Sequence, residues 1–200
     1  MSTSRSYFDD LYRNNDDPWR YRTSWYERRK RDLVLASLPR ERYESAFEPA
    51  CSNGELSAMI ARRCTRLLAC DVSEAAVRSA SERLADTSNI TLEQRAVPDE
   101  WPTDARFDLI VISELAYYLS PEATATLAQL ASTSLSDDGA LVACHWRHPF
   151  EGKLQSAEDI HATFDAAFHG TRIVQHAEAD FILDVWSKDG RSIAQREGIA

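Results

Sequence analysis

Long apolar runs are missing from this chain: no stretch approaches the roughly 18 uncharged residues that a membrane span needs. The N-terminus, MSTSRSYFDD, has no apolar run behind its charges and does not read as a secretory leader. Basic residues are scarce: 23 Lys and Arg face 32 Asp and Glu, for a formal net charge of −9. Nucleic-acid affinity rests on Lys and Arg neutralising phosphates, so a nucleic acid is not the expected partner. Arg28, Arg29, Lys30 and Arg31 do form a basic run, which reads as a solvated helix face. Cysteine spacing excludes more. Cys51, Cys64, Cys70 and Cys144 form no CxxC pair and no Cys/His cluster with zinc spacing, so no metal site is expected. Cys70 and Cys144 end apolar runs and read as small buried fillers, which fits a reducing cytoplasm. No internal repeat or low-complexity tract is present. Glycine is also sparse, at six residues.

What is there is enough apolar material, 44% of residues, for a globular core. Residues 5–13 and 23–38 read as helices, separated by Pro18 and ended by Pro39. In the second, Trp25, Arg29, Leu33 and Ala36 recur at three- and four-residue steps. From residue 43 onward, short apolar runs alternate with longer amphipathic stretches: YESAFEPA, GELSAMIARRC, RLLACD, SEAAVRSASERLA, NITLEQRAV, RFDLIVISE, PEATATLAQLAST and GALVACHW. This β-α alternation predicts a parallel sheet covered by helices, and the nearly continuous LIVI predicts a central strand buried on both faces. Ser73 reads as a helix N-cap, and Asp137-Asp138-Gly139 as a turn into the fifth strand. After a helix near 156–168, TRIVQHAEADFILDVWSK reads as two strands joined near 178–180, which must be antiparallel. The expectation is an α/β, doubly wound, mostly parallel seven-stranded sheet with a C-terminal antiparallel hairpin. Residues 1–39 would form a helical cap, 40–190 the main domain and 191–200 a loose polar tail.

The chemistry is expected at the first β-α junction, Glu48-Pro49-Ala50-Cys51-Ser52-Asn53-Gly54. Open α/β sheets bind ligands at the carboxyl ends of their strands, and small residues at 50, 52 and 54 permit a sharp turn and close backbone approach. The second strand ends in Asp71, followed by Val72; an acid there can accept hydrogen bonds from both ribose hydroxyls of an adenosine. A pyrophosphate wants glycines, so that helix-start N–H groups can reach it, and here Ala50 and Ser52 stand instead. That argues against a nicotinamide dinucleotide. S-adenosylmethionine (SAM) has no phosphate and tolerates the change.

The set E-x-A-x-S-x-G, CDVS, FDLIVISE and the final hairpin resembles the class I (Rossmann-like) SAM-dependent methyltransferases over residues 40–190. Asp16-Asp17-Pro18-Trp19-Arg20, with SELAYYL and DDGALV, is similar to the NodS-like nodulation methyltransferases, which N-methylate an amino sugar ending a chito-oligosaccharide. The resemblance implies that Glu48 sits at the methionine end of SAM, that Asp71 binds the ribose, and that Trp19 and Tyr26 cover the cofactor. Ala50, Ser52, Gly54, Val72, Ala96, Val97 and Ser113 complete the implied binding set. The acid that many members place after the third strand is absent from Arg95-Ala96-Val97, so adenine contact falls to backbone groups and to Val97 or Trp101.

For the reaction, the fourth strand delivers Ser113, Glu114, Tyr117 and Tyr118 to the sheet's carboxyl edge. In the family this segment lies beside the transferred methyl, so Glu114 is expected to orient or deprotonate the acceptor and Tyr117 or Tyr118 to wall it in. The fifth strand ends in Cys144-His145-Trp146-Arg147-His148. His145 is a candidate base near neutral pH, Trp146 a stacking surface and Arg147 an anion holder. His161, His169 and His176 read as structural or surface residues, and Leu56 and Met59 as core. The expected function is methyl transfer from SAM to a small polar acceptor, an amine of an amino sugar or oligosaccharide. An inactive SAM-binding regulatory module is the rival. A short-chain oxidoreductase, which would carry a Tyr-x-x-x-Lys pair, fits less well.

Overall fold

The computed structural model describes residues 5–200. Two helices, α1 (Arg5–Asn14) and α2 (Trp25–Ala36), precede the sheet. Then follow β1 (Tyr43–Pro49), α3 (Glu55–Ala61), β2 (Cys64–Asp71), α4 (Glu74–Arg83), β3 (Ile90–Gln94) and β4 (Phe107–Ser113). A 3-10 turn at Ala116–Tyr118 leads into α5 (Pro121–Ser134), β5 (Leu135–Trp146), α6 (Ala157–Ala167), β6 (Thr171–Ala177), β7 (Phe181–Ser187) and α7 (Ile193–Arg196). The seven strands lie in the order β3-β2-β1-β4-β5-β7-β6. β1 to β5 are parallel, and β7 runs antiparallel to both β5 and β6. The doubly wound sheet with its C-terminal hairpin is therefore as the alternation predicts. The order reverses beside β1, which places the ligand crevice between β1 and β4.

The LIVI run shows why the sheet is central. Leu109 and Val111 belong to one apolar core, shared with Val34 of α2 and Ile60 of α3. Ile110 and Ile112 belong to the other, shared with Leu127 of α5 and Phe164 of α6. Side chains alternate across a strand, so a strand covered on both faces must be apolar at every position. Cys70 and Cys144 are fully buried fillers, and Ser73 caps α4 by accepting from the Ala76 N–H.

Four local expectations change. The buried face of α2 is Glu27, Lys30, Arg31 and Val34, not the stripe through Trp25, whose indole is 67% exposed. Polar groups recognising other polar groups, rather than apolar periodicity, set that helix's phase. The basic run is accordingly not a solvated face: Lys30 and Arg31 turn inward and only Arg28 is exposed. β5 begins at Leu135, which pairs with Phe107, and the 136–139 turn is an irregularity within the strand before Ala140 pairs with Leu109. Finally, residues 193–196 form a helical turn with a Ser192–Gln195 capping box, and Arg196 pairs with Asp189, so this part of the tail is anchored.

The packing predicts that Ile110→Ala lowers unfolding free energy by about 2–5 kcal/mol in urea titrations, as a buried cavity does. Trp25→Ser should stay within about 0.5 kcal/mol, as exposed positions do. A large loss at Trp25 would restore the other helical phase.

Candidate active site

The loop after β1 is held in an unusual conformation. Ala50 and Ser52 have φ of 58° and 52°, and Gly54, at the start of α3, has φ of 78°. Non-glycine residues in this left-handed region cost about 1–3 kcal/mol each and persist where the surroundings over-determine them. Here Asp71 supplies the constraint. Its Oδ2 accepts from the Ser52 N–H at 2.9 Å, and its Oδ1 from the Ser73 N–H at 2.9 Å. Burial pushes Asp71 up to about 6, and the backbone hydrogen bonds hold it from rising further. A Cβ on Gly54 would meet Leu84 Cδ1 at 3.0 Å and Ala80 Cβ at 3.2 Å, so the glycine also permits close packing of α3 on α4.

The N-terminal segment closes over this loop. Asp17 accepts from Tyr21 N–H at 2.7 Å, Arg22 N–H at 3.0 Å and the Asn53 amide at 3.0 Å. The Asp-Asp-Pro-Trp motif is thus a clasp between the N-terminal segment and the first loop. The Ser73 hydroxyl donates to Asp9 at 2.7 Å, and Tyr12 bonds the Ser52 hydroxyl, which fastens α1 as well.

Under this cover lies a cavity of about 400 Å³, within the usual range for small-ligand sites. Trp19, Ala50, Ser52, Asp71, Val72, Ala96 and Val97 line it together with Tyr12 and Asp99. Sequence reading missed Asp99, which stands just beyond the stretch searched for an acid. Trp101 does not reach the cavity: it packs on Phe47 and donates to the Ser134 hydroxyl at 2.8 Å.

A narrow cleft of about 40 Å³ continues past Ala50 to Glu48, Ser113 and Glu114, with Glu27, Lys30 and Arg31 on its far wall. Glu48 is 3% exposed, and its Oε2 has no hydrogen-bond partner of normal geometry among the described residues, the Ser57 hydroxyl being its polar neighbour. Burial pushes its carboxyl up to about 8. A buried carboxyl with an orphaned oxygen is suited to an incoming cation.

A second cavity, of about 450 Å³, lies beyond Glu114. Its walls are largely aromatic: Tyr7, Trp19, Tyr21, Tyr26, Tyr117, Tyr118, Trp146 and Phe150. Tyr26, expected on the cofactor, faces this second space instead, with its ring 5.2 Å from that of Trp146. Glu114 and Tyr21 line all three spaces. Glu114 reaches that junction through a left-handed turn, φ 57°, at the end of β4. Its Oε1 accepts from Lys30 Nζ at 2.9 Å; its Oε2 accepts from the Tyr117 hydroxyl and from Trp146 N–H at 3.3 Å. Lys30 also donates to Glu27 Oε1 at 2.9 Å. Burial works against the lysine's charge, but Glu114 and Glu27 outweigh it and hold Lys30 above the ordinary lysine range.

Lys30 also bears on the oxidoreductase comparison. Tyr26 and Lys30 stand four residues apart, the tyrosine–lysine spacing of a short-chain oxidoreductase, so spacing alone does not exclude that class. In the fold the Lys30 ammonium lies 5.1 Å from the Tyr26 ring centroid and is bonded to the two carboxylates.

The fifth-strand residues divide. Trp146 faces the second cavity, but Arg147 is neutralised by Glu158 at 2.8 Å and lies outside it. His145 is fully buried and lines none of the three spaces. Its Nε2 accepts from the Ala116 N–H at 3.2 Å, so the ring proton sits on Nδ1, 3.1 Å from His161 Nε2. His161 in turn bonds Asp184 at 2.7 Å. Burial pushes His145 well below its ordinary range. With both nitrogens engaged, it orients the turn after Glu114 and does not act as a base.

Glu48 generates a test in the ligand-free protein. Its pKa rises from about 4.3 in an unfolded chain to about 8 in the fold. Between those values the folded state holds a proton that the unfolded chain has released. Stability from this group is therefore full below about pH 4 and falls as pH rises toward 8, by up to about 1.4 kcal/mol per unit. Urea unfolding at pH 5.5 and 7.5 should show Glu48→Gln gaining on the parent protein at the higher pH. A pH-independent difference would contradict the assignment.

These features have counterparts in known proteins. The curated nodulation protein S of Bradyrhizobium diazoefficiens is 32% identical over 126 residues, 62% of this chain and 60% of that protein. The chain thus spans about three fifths of that relative's length. A crystal structure from Pseudomonas syringae, named provisionally as a methyltransferase, is 48% identical, with TM-score 0.73 over 82% of this chain and 99% of that one. The N-methyltransferase NodS from Bradyrhizobium japonicum WM9, in complex with S-adenosyl-L-homocysteine (SAH), is 25% identical, with TM-score 0.82 over 92% of this chain and 97% of that one. The model of the nodulation protein S (NodS) family matches residues 8–165, and the chain belongs to that family.

Proposed function

We propose that this protein is a SAM-dependent methyltransferase whose acceptor is a small amine, that of an amino sugar or oligosaccharide. The observation that carries the reading is the joining of three spaces at Glu114 and Tyr21: a nucleoside-sized cavity, a narrow acidic cleft and an aromatic chamber. In support stands the related NodS structure, which holds SAH.

The residues present fit the cofactor. Asp71 lies where it can accept from ribose hydroxyls, and Ala96, Val97 and Asp99 bound the place for adenine. The orphaned oxygen of Glu48 suits the methionine ammonium. SAM brings a methyl on a sulfonium, so a nitrogen lone pair can form the N–C bond while the C–S bond breaks and its electron pair stays on sulfur. The enzyme's remaining work is to position the acceptor and exclude water. The aromatic chamber suits the apolar faces of a sugar ring, and Glu114 provides the anion that orients an amine.

Asp71→Asn should weaken SAH binding by about 10- to 100-fold in calorimetry, the worth of one or two charge-assisted hydrogen bonds. Glu114→Gln should leave SAH affinity within about threefold while lowering tritium-methyl transfer to a glucosamine tetramer by about 100-fold. Undiminished transfer would remove Glu114 from the mechanism. SAH binding without transfer to any amine would favour a non-catalytic binding module.

A further inference from the structure

The acceptor site holds more chemistry than Glu114 alone. Any amine that arrives as an ammonium must lose a proton before its nitrogen can attack. Several groups around the second cavity could take that proton; Glu151 is exposed to solvent at its edge, and among the buried ones three kinds are unsuited. Burial and nearby Glu114 push the Tyr21 and Tyr117 phenols above their ordinary range, so both remain donors. Lys30 is held protonated between two carboxylates. Glu114 already accepts from Lys30, the Tyr117 hydroxyl and the Trp146 N–H, and those three bonds hold both of its oxygens in fixed positions.

Glu27 differs. It lines both the cleft and the aromatic chamber. Among the described residues it accepts one hydrogen bond, at Oε1 from Lys30. Burial raises its pKa, with Lys30 opposing. The groups facing it are Lys30, Arg31 and Tyr26 on its own helix, Tyr21 before it, Glu114 from the end of β4 and Cys144 on β5. Arg31 is committed elsewhere, to Glu55 at 3.8 Å and the Tyr21 carbonyl at 2.9 Å. Glu27, Glu114 and Lys30 thus bring two carboxyl groups and one ammonium together beside the chamber, with Glu27 and Lys30 buried.

We propose that Glu27 is the proton acceptor for the substrate amine, with Glu114 the fixed anion that orients it and Lys30 the positioning residue that joins the two. This rests on the reading of the protein as an amine methyltransferase. In the step, an N–H bond of the bound ammonium breaks, its electron pair stays on nitrogen, and the proton forms an O–H bond on Glu27. The neutral carboxyl then stands beside Lys30, whose charge stays balanced by Glu114. The proton leaves to solvent when product departs.

The test compares the parent protein, Glu27→Gln, Glu27→Asp and Lys30→Arg. Methyl transfer to a glucosamine tetramer is followed from pH 6 to 10, with SAH binding measured alongside. Glu27→Gln should lose about 100-fold in kcat/KM at pH 7 and recover to within about fivefold near pH 9.5, where the amine deprotonates without help. Glu27→Asp should retain part of the activity with a displaced acid limb. Lys30→Arg, which keeps the charge but not the shape, should lower kcat without moving the pH profile. SAH affinity should change far less than kcat/KM in each variant. In the parent SAH complex, carbon-13-edited infrared spectra should gain a protonated-carboxyl band on addition of the tetramer, and Glu27→Asp should shift it. Glu27→Gln with the parent pH profile, or no new carboxyl band on amine binding, would overturn the assignment while leaving methyl transfer intact. Absence of transfer to amines despite SAH binding would instead overturn the reading on which it rests.

Discussion

The carboxylate of Asp71 accepts hydrogen bonds from the backbones of Ser52 and Ser73, and the first loop depends on that pair. Without it, two left-handed non-glycine residues would have little reason to keep their shape. With it, β1, β2 and the starts of α3 and α4 share one anchor. Asp17 then clasps the N-terminal segment to Asn53, so the cover over the cavity is tied to the loop that shapes its floor. One buried acid therefore sets both the floor and, through the loop, the lid. Glycines at 50 and 52 would permit the same turn with less strain but would specify it less.

The second constraint is electrostatic. Taking Lys30, Glu27 and Glu114 out of water is costly, and their mutual attraction offsets that cost only in good geometry. A hydrophobic replacement of the same shape would serve stability as well or better. Charges kept in a buried place where they break the local rule point to function, because such violations concentrate at sites. The chain of Asp184, His161 and His145 ends on the Ala116 N–H, next to Glu114 and Tyr117. It acts by holding the turn that presents them.

Much of this is legible in the residues. LIVI announces a strand buried on both sides, and the wide gap between Glu48 and Asp71 places two acids on adjacent strand ends. Cofactor-side residues follow from strand-end positions, since topology brings those ends together. What escapes is whatever depends on side-chain direction across elements. The Arg28–Arg31 run looks like solvent because charge is the usual mark of exposure. Yet Glu27, Lys30, Arg31 and Val34 fall at three- and four-residue steps, a helical face in their own right. Reading that stripe as a stripe would have found the buried cluster. His145 misleads in the opposite way: chemistry at a strand's carboxyl end suggests a base, but a residue's side of the sheet decides whether it meets solvent or core. Asp99 was missed because the acid sought on the strand end lies a few residues beyond it.

A crystal structure of the protein with SAH bears most directly on the account. It should place the ribose hydroxyls on Asp71, the amino group against Glu48 and the sulfur facing Glu114 and the aromatic chamber. A nucleoside bound anywhere else, or a sulfur turned away from Glu114, would contradict it.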